Sequence, residues 1–175
     1  LLSPQLGFQV SQHSPLSALD DVGVGVYGQT TATVSEDFDL TVGARVDHEN
    51  KEALLRTFYD PQIGPPIAVA AEKGFSNVSP QFAASYRFQP GRMFYASVGR
   101  GFKAGGFNAA SPVGSEAYGE EKAWHVESGV KTLLADGRLS ANASFFYIDW
   151  NELQLNVPNP AVPAQFYIRN IGSVQ

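Results

Sequence analysis

From Val22 onward, apolar and polar residues alternate with a period of two over most of the chain, the pattern of strands whose two faces meet different environments. The clearest run is Phe38 to Asn50. There Phe38, Leu40, Val42, Ala44 and Val46 form one row, and Asp39, Thr41, Gly43, Arg45 and Asp47 form the other. The same period predicts a strand before it, Val22 to Val34, with Val22, Val24 and Val26 opposed to Tyr27, Gln29, Thr31 and Thr33. Four more follow at Phe75 to Phe88, Phe94 to Gly99, Lys122 to Leu134 and Arg138 to Trp150, and Gln165 to Gln175 reads as a seventh. Pro80 falls inside the third; because it cannot donate to a ladder, it is expected near a strand end or a bulge.

The connections carry as much information as the strands. Ser35 to Asp37, Gln89-Pro90-Gly91-Arg92 and Ala135-Asp136-Gly137 are tight turns, with Gly and Asp where reversal favours them. Asn50 to Gly74, Gly105 to Glu121 and Asn151 to Ala164 read as long loops punctuated by Pro, Gly and Asn, and Leu1 to Asp21 as a loop without sustained period. At Lys103 to Asn108 the fourth strand opens into glycine and is expected to become an outward loop. Short and long connections therefore alternate strictly, as expected when successive antiparallel strands place turns at one rim and loops at the other. The strands, at about a dozen residues, exceed the usual 5–6 and suit tilted membrane strands of roughly 9–11 residues.

Charge position decides which face meets what. Lys or Arg on the lipid face of a barrel midplane costs about 2–4 kcal/mol. Arg45, mid-strand beside Asp39, Thr41 and Asp47, is therefore expected on an aqueous interior, and the Val/Leu/Phe row on lipid. Phe38, Phe88, Phe94 and Trp150 fall near strand ends, where interfacial aromatic girdles lie.

Composition removes other classes. The 175 residues carry a net charge of −5 with no cysteine, so there is neither a disulfide framework nor a thiolate metal site. The basic stripe of a nucleic-acid binder is missing, and no apolar run reaches the roughly 18 residues of a membrane helix. The fold class is all-β: an antiparallel up-and-down transmembrane barrel segment. A small complete outer-membrane barrel with a structural or adhesive role, and a soluble β-sandwich carbohydrate-binding module, are alternative readings of the same alternation.

One stretch, YASVGRGFKAGGFN from Tyr95 to Asn108, closely resembles a signature of the β-barrel domain of TonB-dependent receptors, the outer-membrane importers of Gram-negative bacteria. VYGQTTATVSEDFDLTVGARVDHENK and VSPQFAASYRFQPGRMFYASVGRGFKAGGFN are similar to that family's successive strand pairs. EKAWHVESGVKTLLADGRLSANASFFYIDWNELQLNV is similar to the next pair, and Asn170-Ile171-Gly172 resembles the start of the strand after it. The resemblance implies a barrel of about 22 strands, of which seven make about a third at roughly 10 residues per crossing. Residues 1–175 are accordingly expected to be part of one barrel domain, both ends reading as cuts, with the plug domain and the TonB-contact segment outside the chain. It further implies location in the cell outer membrane, outer-membrane lipid, the protein's own plug and the TonB complex as partners, and active uptake of a scarce bulky nutrient such as a ferric siderophore.

Candidate chemistry is sparse. GRGFKAGGFN lacks the G-x-G-x-x-G spacing and a following helix, so its glycines are better read as permitting close backbone approach where strand becomes loop. His125, Glu127 and Lys131 share one strand face, which reads as lining of a polar interior rather than a proton relay or metal site. His13 and His48 stand at loop-like positions without ligand spacing. No nucleophile occupies an elbow or triad, and no catalytic residue, metal site or cofactor is expected. Tyr59, Phe107, Asn108, Tyr118 and Phe166, in or beside the long loops, are the candidates for ligand contact, with loop packing as their alternative role.

Overall fold

The computed structural model describes residues 7–160 and 165–175. Its main feature is one antiparallel sheet of seven strands: β1 (Ser11–Ser35), β2 (Phe38–Asp60), β3 (Ile67–Gln89), β4 (Arg92–Lys103), β7 (Glu121–Leu134), β8 (Leu139–Pro158) and β9 (Phe166–Val174). They lie in the order β1-β2-β3-β4-β7-β8-β9, so each pairs with its sequence neighbour and β1 and β9 form the two edges. Between β4 and β7 the short strands β5 (Gly106–Phe107) and β6 (Ala117–Tyr118) pair with each other as a separate ribbon. The sheet is a single unclosed layer, as a segment of a barrel wall would be. A β-sandwich needs a second sheet over the first, so that alternative is set aside.

Register turns the alternation into two surfaces, because residues directly opposite in an antiparallel pair point the same way. Thr30, Val42, Phe82, Val98, Val126 and Tyr147 line up as one row across six strands; Ala32, Leu40, Ala84, Ala96, Ser128 and Phe145 form the next. Offset by one residue, Gln29, Gly43, Gln81, Gly99 and His125 make a row on the other face, as do Thr33, Asp39, Ser85, Tyr95 and Gly129. The apolar rows have nothing over them: Val26, Val46, Val78, Phe82, Val126 and Phe145 are all exposed. Soluble monomers rarely leave apolar patches of more than a few hundred Å² open. An exposed apolar face of this extent is what the expected lipid-facing row requires.

The band is the right height. Along β2 the outward row is apolar from Phe38 to Val46 and then turns to His48, Asn50 and Glu52. At about 3.4 Å per residue and a tilt of 35–45°, that stretch rises close to the roughly 25 Å of a barrel's apolar band. Phe38, Tyr86 and Phe94 stand side by side near the turn rim, with Trp124 and Tyr147 on the outer face toward the opposite rim. Trp150 does not join them, since it pairs with Ala123 on the polar face.

Three segments read as loops are strand. Ser11 to Asp21 is the first part of β1 and pairs with Lys51 to Asp60 of β2. Asn50 to Gly74 is mostly a continuation of β2 and β3, reducing the expected long loop to residues 61–66. Asn151 to Pro158 continues β8; residues 161–164 of that expected loop and Leu1 to Leu6 lie outside the described residues. His13 and His48 consequently sit in strands, His13 stacked on Phe58 at 5.1 Å and His48 bonded to Ser76 Oγ at 2.8 Å. β1, β2 and β3 run 25, 23 and 23 residues, roughly 80 Å at about 3.3 Å per residue, more than twice the hydrocarbon thickness. The extra length forms a three-stranded arm beyond the apolar band.

Pro80 marks where that arm separates. The β3–β4 ladder begins at Gln81↔Gly99 and runs toward the turn, while β3 above it pairs with β2 alone. A residue without an N–H sits beside the end of the ladder, well inside β3. At the near rim the turns are tight. Gly91 has φ 71°, and Ala135, Asp136 and Gly137 have φ 51°, 53° and 83°. Leu133 N donates to Gly91 O at 2.7 Å and Arg87 N to Asp37 O at 2.8 Å, tying neighbouring turns together.

Candidate functional site

The polar face is cross-braced. Thr31 Oγ1 and Thr41 Oγ1 lie 2.8 Å apart, Thr33 Oγ1 donates to Asp39 Oδ1 at 2.9 Å, and Arg87 Nη1 donates to Asp39 Oδ2 at 2.6 Å. Arg45 pairs with Asp47 at 2.7 Å, so the mid-strand arginine stands on the polar face with its charge matched. Tyr95 Oη donates to Glu127 Oε1 at 2.5 Å, Lys131 Nζ lies 5.1 Å over the Tyr95 ring, and His125 fills the space a Cβ on Gly99 would need. His125, Glu127 and Lys131 are thus each engaged with β4.

Above the apolar band the inward row of β2 turns from charged to largely apolar, while the outward row mixes His48, Asn50 and Glu52 with the exposed Leu54 and Phe58. The inward row of β2 continues from Lys51 into Ala53, Leu55, Thr57 and Tyr59, all four buried. Lys51 marks the change. The hydrogen bond from its Nζ to Asp21 Oδ2, 2.6 Å, holds the ammonium above the ordinary lysine range, and Glu49 adds to the effect.

What covers this upper row is the connection 104–120, which folds inward rather than outward. Gly105 passes so close to the Phe75 ring and Tyr118 O that a Cβ there would fall 2.7 Å and 2.3 Å from them. Thr57 Oγ1 donates to Ala109 O at 3.1 Å. On the opposite side, Asn108 binds the backbone of Ile168 in β9, donating from Nδ2 to its O at 2.9 Å and accepting at Oδ1 from its N at 2.8 Å. A segment bonded to β2 on one side and β9 on the other bridges the inward face of the sheet.

The five residues singled out for ligand contact are distributed around this bridge. Tyr59 is buried, packs on Val10 and Ile63, and accepts from Gln165 Nε2 at 2.7 Å. Asn108, 6% exposed, is spent on Ile168 and Ser115. Phe107 and Tyr118 are half-buried in the β5–β6 ribbon, with the Tyr118 ring against Gly106. Phe166, 60% exposed, stands at the start of β9 opposite Pro158. The segment thus brings Phe107, Asn108 and Tyr118 together and leaves Phe166 apart.

Two residues that the alternation did not mark matter as much. Gln154, in a stretch read as loop, and Asn170 both bind the bridge, donating to Gly119 O at 2.9 and 3.1 Å. Asn is disfavoured within strands, and its presence in the middle of FYIRNIGSV was the available signal.

These features are a single unclosed antiparallel layer, apolar without and polar within, with one rim of turns and one of extended arms. The sequence profile described as TonB dependent receptor-like, beta-barrel matches residues 8–175. The chain belongs to that family. TonB-dependent receptors are transport receptors rather than a class of enzyme. Solved structures share the fold of this TonB-dependent receptor chain. The ferric yersiniabactin uptake receptor of Yersinia pestis superposes with TM-score 0.75 at 21% identity, covering 94% of this chain and 23% of the other. The ferric-catecholate import receptor of E. coli K12 gives 0.66 at 20%, covering 90% and 24%. The alcaligin outer membrane receptor of Bordetella pertussis gives 0.56 at 19%, covering 91% and 26%. The chain spans about a quarter of the length of each.

Proposed function

We propose that residues 1–175 form part of the barrel wall of a TonB-dependent receptor in the outer membrane of a Gram-negative bacterium, which imports a scarce, bulky nutrient of the ferric siderophore class. The observation that carries this reading is the family match over 8–175, and the substrate class is supported by the names of the solved neighbours, receptors for ferric yersiniabactin, ferric catecholates and alcaligin. The apolar outer rows would meet outer-membrane lipid, and the braced polar rows would face the protein's own plug. The TonB complex would supply the energy through the plug-side part of the longer protein. Tyr59, Phe107, Asn108, Tyr118 and Phe166 would stand on the side from which substrate enters, and of these Phe107, Tyr118 and Phe166 keep accessible surface for contact.

The test is deletion of the gene in its own host, followed by iron-limited growth on a panel of ferric siderophores. Growth is expected to fail on one chelate, to return with the full-length gene, and to depend on TonB. Unchanged growth on every ferric chelate would contradict the substrate class.

A further inference from the structure

The connection 104–120 is longer than the about 12–15 residues beyond which structureless loops become uncommon, yet its backbone is heavily bonded. Its own ribbon is closed by Asn108 N donating to Glu116 O at 2.7 Å and by Asn108 Nδ2 to Ser115 O at 2.9 Å. Three primary amides then fasten it to the sheet. Asn108 offers Ile168 both a donor and an acceptor, as the backbone of a neighbouring strand would. Gln154 Nε2 donates to Ala104 O and to Gly119 O, both at 2.9 Å, gripping the two legs of the connection at once. Asn170 accepts from Gly119 N at 2.6 Å and donates to Gly119 O, Glu120 O and Glu152 O at 3.1, 3.3 and 2.8 Å.

We propose that Asn108, Gln154 and Asn170 are positioning residues that form a carboxamide latch, holding segment 104–120 as a fixed shelf across the mouth and leaving any opening motion to the rest of the rim. Asn108 and Gln154 are 6% and 8% exposed, so water has little access to compete for the bonds they make. Carboxamides do not titrate, so the latch holds at any pH that leaves the barrel folded. Glycine at 105 and 106 is part of the same design, because a Cβ at either would lie within 2.7 Å of the shelf's own atoms.

Ser111 and Val113 report on the shelf independently of any substrate. Ser111 is 3% exposed and its Oγ has no partner among the described residues, so Ser111→Cys breaks no bond; Val113 is 66% exposed. In the full-length protein on intact cells, Val113→Cys should react with an impermeant maleimide at least about tenfold faster than Ser111→Cys. Adding Gln154→Ala and Asn170→Ala should raise the Ser111→Cys rate to that of Val113→Cys. Should that double variant fail to assemble, Asn170→Asp, which keeps the acceptor for Gly119 N and loses the three donated bonds, should give an intermediate rate. Rapid labelling of Ser111→Cys with the latch intact, or no change on its removal, overturns the proposal. Uptake kinetics, which rest on the proposed substrate class where the labelling rests only on the proposed location, should show a raised KM for the ferric chelate at unchanged kcat. A fall in kcat alone would contradict a positioning role.

Discussion

Val42 and Thr41 are adjacent in β2 and point to opposite faces, and they show how little of the chemistry depends on residue type alone. Val42 lies at the middle of the apolar band, flanked across the sheet by Thr30 and Phe82; Thr41 shares a hydrogen bond with Thr31 on the polar side. Val42→Arg should cost about 2–4 kcal/mol of folding free energy in lipid. Thr41→Arg, facing water, should cost far less. Urea titration of the full-length barrel refolded into vesicles distinguishes them, and equal costs would mean that the faces are wrongly assigned. A second residue is constrained by space. A Cβ on Gly129 would lie 2.7 Å from Ala143 O and from the Tyr95 ring that serves Glu127. Gly129→Val should destabilise by roughly 1–3 kcal/mol through overpacking, and the same titration reads it.

At the scale of the element, the cores of the strands were legible because each face keeps one chemistry through the apolar band. From Phe38 to Val46 the outward row is apolar and the inward row polar without exception. The arm was not legible, because beyond Val46 neither face keeps one chemistry. His48, Asn50 and Glu52 take the outward positions, and Ala53, Leu55 and Thr57 are buried inward under the bridging segment. Rows of mixed chemistry, with exposed Leu54 and Phe58 among the polar residues outside, resemble a loss of pattern, and Pro61, Pro65 and Pro66 nearby point to a loop although all three lie in the turn. The inward fold of 104–120 was hidden for another reason. It depends on Thr57, Gln154, Ile168 and Asn170, which are remote in sequence and which no local pattern connects.

The Lys51–Asp21 pair gives the arm a pH signature. Because the folded-state pKa of Lys51 is raised, its stabilisation is fully present below the ordinary lysine value of about 10.4 and is lost as pH rises through the higher folded value. Hydrogen exchange of Asp20 to Glu52 should therefore be unchanged in relative protection from about pH 6 to 9 and should loosen only in strong alkali. Lys51→Met should remove the alkaline step. Loosening near neutrality would contradict the pairing.

The whole molecule is a wall with two raw edges. β1 and β9 each leave one side of a strand without a partner in the sheet, and unsatisfied backbone groups in hydrocarbon cost several kcal/mol each. Residues 1–175 alone should therefore yield no compact, heat-modifiable species in vesicles, whereas the full-length protein should. The alternation of rims is the property from which the rest follows. It places the turns 36–37, 90–91 and 135–138 at one rim of the sheet and the 61–66 and 104–120 connections at the other, which in the proposed receptor would be opposite sides of the membrane. Cysteine labelling of the full-length receptor in intact cells tests it most directly. Gln62→Cys and Val113→Cys should react with an impermeant thiol reagent, and Asp136→Cys only after the outer membrane is opened. Labelling of Asp136→Cys on intact cells, with Gln62→Cys and Val113→Cys silent, would contradict the orientation.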